Sequence, residues 1–220
     1  MSSSDCIFIV GSVTLRRIEA SVQSVAWPES WTRSTLPRRR DVADLPDLHE
    51  LASEHFTYAD LCHCSETWRR TGIENAPQAL ETYRAISELC ENVLEPVEAE
   101  FGSITLTYGF AGPNLTRKVH GRIAPRLDQH AGHERRVSGE FICPRLGQAA
   151  DFRVPGVSSI VVARFLVTTV PFDRLYLYGT DRPLHVSIGP QHARAIFEMR
   201  KSGTRLIPRG LKAANFSVSD

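Results

Sequence analysis

Residues 174–188, Arg-Leu-Tyr-Leu-Tyr-Gly-Thr-Asp-Arg-Pro-Leu-His-Val-Ser-Ile, decide the fold class. Arg174 to Tyr178 and Leu184 to Ile188 read as two strands, rich in branched and aromatic side chains. Gly179-Thr180-Asp181-Arg182-Pro183 between them has the length and composition of a hairpin connection. His185 stands between Leu184 and Val186, so strand alternation sends its side chain to the opposite face from both. The neighbourhood of such a hairpin is a small, mainly antiparallel sheet.

Working outward, Val157 to Val170 reads as a buried helix despite its β-branched content, and Phe152-Arg153-Val154 as a short strand. On the other side, Pro190 reads as the start of a last helix through Met199, ended by Gly203. Upstream, Ile104 to Tyr108 alternates like a strand and stops at Gly109. The strongest helical signal opens at Asn75-Ala76-Pro77. Ala79, Leu80, Tyr83, Ile86, Leu89, Cys90, Val93, Leu94 and Val97 then form one apolar stripe, closed by Pro96 and Gly102. Thr57 is placed to cap a short helix over Tyr58 to Cys64. This order predicts an α+β fold: a small, mainly antiparallel sheet with helices packed on it. The expected organisation is an irregular N-terminal arm over 1–50 with one strand at Cys6 to Val10, a domain over 51–203 and a tail over 204–220.

With 220 residues and 42% hydrophobic content, the chain can bury one substantial core. Lys+Arg 26 against Asp+Glu 25 leaves no overall field to favour nucleic acid, an anionic membrane or an acidic substrate. The apolar run Cys6 to Val13 is too short to span a bilayer. Asp5 before it and Arg16 and Arg17 after it do not suit a signal peptide, which implies a cytoplasmic protein. Cys6, Cys62, Cys64, Cys90 and Cys143 form an odd, scattered set that fits reduced thiols. In the arm, Trp27 and Trp31 suggest packing. Arg38, Arg39 and Arg40 offer either a weak nucleic-acid contact or a solvated surface.

Three segments combine polar chemistry with turn-forming residues: Asp128-Gln129-His130-Ala131-Gly132-His133-Glu134, Gly147-Gln148-Ala149-Ala150-Asp151, and Arg182 to Ser187. Small residues in the second allow close backbone approach, and Asp151 opens the following strand. Two imidazoles and a carboxylate with an open position suit zinc, and His130, Asp151 and His185 supply that set. Each also has an ordinary use, as a solvated loop His, a cap Asp or a hydrogen-bonded strand His. Cys62-His63-Cys64 is a second, weaker candidate, lacking a companion pair nearby.

From His55 to Ser187 the chain resembles the D-Ala-D-Ala carboxypeptidase-like zinc peptidases, common among phage cell-wall lysis enzymes. The resemblance rests on Phe56-Thr57-Tyr58-Ala59-Asp60-Leu61, Gly72-Ile73-Glu74-Asn75-Ala76-Pro77, Val93-Leu94-Glu95-Pro96-Val97 and Ile104 to Phe110. The family's metal signature is SxHxxGxAxD, followed by a catalytic Glu and a Trp-His pair on a hairpin. Gly147, Ala149 and Asp151 match the first part, and Phe172-Asp173-Arg174-Leu175 leading to His185-Val186-Ser187 matches the hairpin. The resemblance implies that Asp151 and His185 are zinc ligands. Pro144 stands where the first ligand His belongs, and Asp128-Gln129-His130 resembles that element displaced upstream, with His133 in reserve. Tyr178 stands at the position of the catalytic Glu, and Ala111 where an Arg usually follows the Gly-Tyr pair.

Two readings follow. In the first, a zinc-dependent hydrolase acts on an intracellular substrate other than ordinary peptidoglycan. Tyr178, His133 or Glu134 assists catalysis, while Arg182 and Tyr176 contact the small-molecule or peptide substrate. In the second, an inactive pseudo-peptidase serves as a binding module, in a phage-related, defence or DNA-modification setting.

Overall fold

The computed structural model describes residues 45–119 and 124–216. The expected strand Cys6 to Val10, the arm up to residue 44 and Arg38, Arg39 and Arg40 lie outside those residues.

Thr57 caps α1 (Tyr58–His63) with a full capping box: its side chain accepts from the Asp60 N–H, and the Asp60 carboxylate accepts from the Thr57 N–H. A helix absent from the sequence reading, α2 (Glu66–Thr71), follows, capped by Ser65 and stopped by Gly72. The long amphipathic stretch starts later than expected, as α3 (Leu80–Leu89). Asn75 does not enter it. Its amide donates to the Cys62 and Phe110 carbonyls and accepts from the Gly112 N–H, tying three segments together. A π-helical turn over Cys90–Leu94 joins α3 to α4 (Glu95–Phe101). The wider turn precedes Pro96, which has no N–H for a regular helical bond.

Six strands follow in the order β1-β2-β4-β3-β5-β6: β1 (Thr105–Tyr108), β2 (Gln148–Arg153), β3 (Arg174–Leu177), β4 (Leu184–Ile188), β5 (Ala195–Ser202) and β6 (Arg205–Leu211). All neighbours pair antiparallel except β3 with β5. The short α5 (Pro113–Thr116) lies between β1 and β2, and α6 (Ser159–Thr169), capped by Ser158, between β2 and β3. The α+β expectation and the β3–β4 hairpin are therefore observed.

The helix expected from Pro190 to Met199 is not formed; that stretch enters β5, which pairs in parallel with β3. Gly203, expected to end a helix, turns the chain from β5 into β6 with φ +61. The segment from 204 onward supplies β6 and a 3₁₀ turn, Ala213–Phe216. Ala195 to Met199 is locally ambiguous between helix and strand, and a partner some twenty residues away decides it.

Alternation divides the sheet cleanly. Ala150, Phe152, Leu175, Leu177, Leu184, Val186, Ile188 and Ile196 form the core with α3, α4 and α6. Asp151, His185, Ser187 and Tyr176 point the other way, under the loop between α5 and β2. No described helix is long and apolar enough to cross a membrane.

Candidate metal centre

Asp151 and His185 are direct cross-strand partners in β2 and β4, which brings their side chains together on the polar face. His185 Nδ1 lies 2.7 Å from Asp151 Oδ1. The third member comes from the loop. Asp128 caps a 3₁₀ turn by accepting from the His130 N–H, and His130 Nε2 then lies 3.2 Å from the same Asp151 oxygen. His130, Asp151 and His185 are 3%, 8% and 6% exposed, so the group is almost sealed from solvent. Their ligand atoms all lie within 4.8 Å of one another, a group that could hold a metal ion.

Gln129 fixes the depth of this loop. Its amide nitrogen contacts the Leu146 carbonyl, Asp173 Oδ2 and the Ile188 carbonyl, and its oxygen accepts from Ser187 Oγ on β4. Asp173, wholly buried, also accepts from the Ala193 N–H and pairs with Arg174. Two glycines permit the close approach. A Cβ on Gly147 would lie 1.9 Å from the Ile188 carbonyl oxygen, and one on Gly109 would lie 2.2 Å from that of Leu61. The sequence singled out Gly147 for this purpose. Gly109 stood out only as a strand stop, yet its carbonyl is the partner of His130 Nδ1 at 2.7 Å.

That carbonyl governs the chemistry. A carbonyl can only accept, so Nδ1 of His130 carries a proton, and in the neutral ring the lone pair is on Nε2, facing Asp151. Two acceptors 3.2 Å apart repel unless a positive charge sits with them. A second proton on His130 is one solution. Burial pulls the His130 pKa down, but the Asp151 carboxylate outweighs it and the net shift is upward. Burial pushes the Asp151 carboxyl the other way, yet His130 and then His185 hold it far below the ordinary carboxylate range. A divalent cation is the other solution. If the His185 proton moves to Nε2, its Nδ1 also presents a lone pair, completing two imidazoles and one carboxylate. The Gly109 carbonyl behind His130 is the kind of outer partner that orients a ligating imidazole. The donor set could therefore hold a divalent metal ion.

The other candidate residues divide into two sets. Tyr176 stays at the site, opposite His185 in the β3–β4 register, with its ring centroid 5.2 Å from the imidazole and its other side stacked on Phe197. Tyr178 follows directly after β3 and is half-buried. Arg182 is exposed in the β3–β4 connection, where its backbone carbonyl accepts from Ser159 Oγ. Tyr108, not selected from the sequence, packs edge-on against His130 at 4.6 Å. His133 and Glu134 are used elsewhere. His133 Nε2 accepts from the Gly147 N–H, and burial lowers its pKa. Glu134 Oε1 accepts from the Gln78 and Ala79 N–H groups and the Thr82 hydroxyl, holding the start of α3. Neither belongs to the three-residue group.

Cys62 and Cys64 do not form a metal cluster among the described residues. Both are buried, burial pushes the Cys64 thiol up to about 12, and the His63 ring stacks on Trp68. A second group, Glu54, His55 and Glu95, is largely exposed. Glu95 is occupied by Ser53 Oγ and by the backbone and ring of His55.

The chain matches no family model, no curated protein and no solved structure.

Proposed function

We propose that the protein is a divergent zinc-dependent hydrolase of the D-Ala-D-Ala carboxypeptidase-like fold, with His130, Asp151 and His185 as metal ligands. The observation that supports this reading is the arrival of His130 at the Asp151–His185 pair from a different element, with its outward nitrogen fixed by a carbonyl. A bound divalent ion would supply Lewis acidity and a more acidic water. Asp151 and the two imidazoles would hold the ion, and Gln129 would hold the His130 loop at the depth the site needs. Tyr176 borders His185 and can donate a phenolic hydrogen bond to a substrate oxygen; Tyr178 and Arg182 line the same end of the hairpin. The substrate would be a small molecule or peptide of the cell interior, in a phage-related or defence setting.

Metal content is the direct test. Purified protein should carry close to one zinc per chain, and Asp151→Ala and His185→Ala should lose it while the protein stays folded by circular dichroism. Substoichiometric zinc that neither substitution alters would defeat the proposal. A second reading, a metal-holding or metal-free recognition module that does not cleave, is favoured by one observation. Glu134, the carboxylate nearest in sequence to His130 on its C-terminal side, is committed to α3 and is not available to activate water. Hydrolysis of no member of a peptide, ester and amide panel by zinc-loaded protein would favour that module.

A further inference from the structure

The charge of this chain balances overall but not locally. Residues 199–216 contain Arg200, Lys201, Arg205, Arg209 and Lys212 and no Asp or Glu. Those five cations lie on the β5–β6 hairpin or just beyond it, and all five are exposed. β5 pairs with β3 only as far as Glu198, whereas its pairing with β6 continues to Ser202↔Arg205. The hairpin tip therefore projects past the sheet as a two-stranded ribbon, about 13 Å at about 3.4 Å per residue. From Arg200 to Arg205 every residue is exposed.

Residues opposite each other in the register share a face. Arg200 with Ile207, Ser202 with Arg205 and Glu198 with Arg209 place three arginines and the 45%-exposed Ile207 on one side, and Lys201 on the other. Glu198 offsets one arginine, accepting from Arg200 Nε at 2.7 Å, so both faces keep a net positive charge. The outer strand β6 carries Pro208, which lacks the N–H that a further strand would need, and its cations repel one. The ribbon is thus poorly suited to sheet extension by a partner or a second copy. Its width and charge suit a groove lined with phosphates, since the major groove of DNA admits a two-stranded β-ribbon.

We propose that the β5–β6 ribbon is a binding site for double-stranded DNA, reading phosphates through Arg200, Lys201, Arg205 and Arg209. Contacts of this kind release condensed counterions, so affinity must fall steeply with salt. Four phosphate contacts imply a roughly hundredfold loss between 50 and 200 mM salt.

The test is fluorescence anisotropy of a labelled 20-base-pair duplex of arbitrary sequence with the full-length chain. Expected are binding at 50 mM salt, roughly hundredfold weakening at 200 mM, and at least tenfold weaker binding by the double variant Lys201→Glu/Arg205→Glu. The charge-preserving Lys201→Arg/Arg205→Lys should bind like the parent, and the exposure of both sites keeps either variant folded, which circular dichroism checks. Absence of binding at 50 mM salt, binding untouched by the charge reversal, or tighter association with phosphatidylserine vesicles than with the duplex would each overturn the proposal.

Discussion

Asp151 and Glu134 are both buried carboxylates, and they face opposite kinds of partner. Asp151 meets two imidazoles, groups that can give up a proton and turn a lone pair toward a cation. Glu134 meets two backbone N–H groups and a hydroxyl, donors that cannot be exchanged for a metal. The pKa directions separate accordingly. Histidine contacts overcome burial at Asp151 and hold its carboxyl low, whereas burial prevails over the hydrogen bonds at Glu134 and holds its carboxyl high. A buried acid is therefore a candidate for chemistry when its partners are titratable, and a structural cap when they are backbone.

The largest expected effect breaks the structural half of this comparison. Glu134→Ala strands the donors at the head of α3 and should cost about 3 kcal/mol in urea denaturation, with Glu134→Gln losing much less. Next comes the chemical half. Zinc at a hundredfold excess over its dissociation constant should stabilise the parent by about 2.7 kcal/mol and Asp151→Ala not at all. Glu134→Gln should keep the zinc response, because its side chain lies outside the metal group. Thr82→Val removes one donor to Glu134 and an acceptor for the His133 N–H, and should cost about 1 kcal/mol without changing zinc binding.

The finest contrast is in pH, with metal removed by chelation. The depressed carboxyl of Asp151 contributes stability that is present above its unfolded pKa of about 3.9 and lost as pH falls toward the folded value. The elevated Glu134 carboxyl works the other way: its contribution is full below its unfolded pKa of about 4.3 and lost as pH rises through the folded value. The stability difference between parent and Asp151→Asn should therefore grow as pH increases through the acid range, and that between parent and Glu134→Gln should shrink. Parallel profiles would show that the two environments do not differ as described. The raised His130 pKa adds a second limit. Its contribution is full below about 6.5 and lost as pH rises through the folded value, a loss that His130→Asn should remove.

The same pair explains what the sequence could and could not reveal. His185 was legible because strand alternation and a hairpin turn are local signals; Asp151 was noticed beside small residues at the head of a strand and through the family resemblance, and the register places the two opposite each other. Thr57 was legible as a cap because its partner Asp60 is three residues away. His130 stood out as part of a polar loop segment and through the family resemblance, not through any periodicity. Glu134 was read as a candidate catalytic group, and its partners at the head of α3, Gln78, Ala79 and Thr82, could not be seen because they lie more than fifty residues upstream. That separation also hid the true start of α3 at Leu80, read from the sequence as Asn75. β5 failed for a related reason. Ala195 to Met199 has no strong period of its own, and its parallel pairing with β3 is a tertiary choice. Gln129 was not singled out in the sequence; its role lies in the contacts that one amide makes with Leu146, Asp173, Arg174, Ser187 and Ile188.

His130, Asp151 and His185 are proposed to be a metal site and not a proton-bound cluster. Anomalous diffraction above the zinc edge, from crystals grown with one equivalent of zinc, tests it most directly. One peak is expected, bounded by His130 Nε2, Asp151 Oδ1 and His185 Nδ1. An empty site there, or a peak only at the exposed group of Glu54, His55 and Glu95, would contradict it.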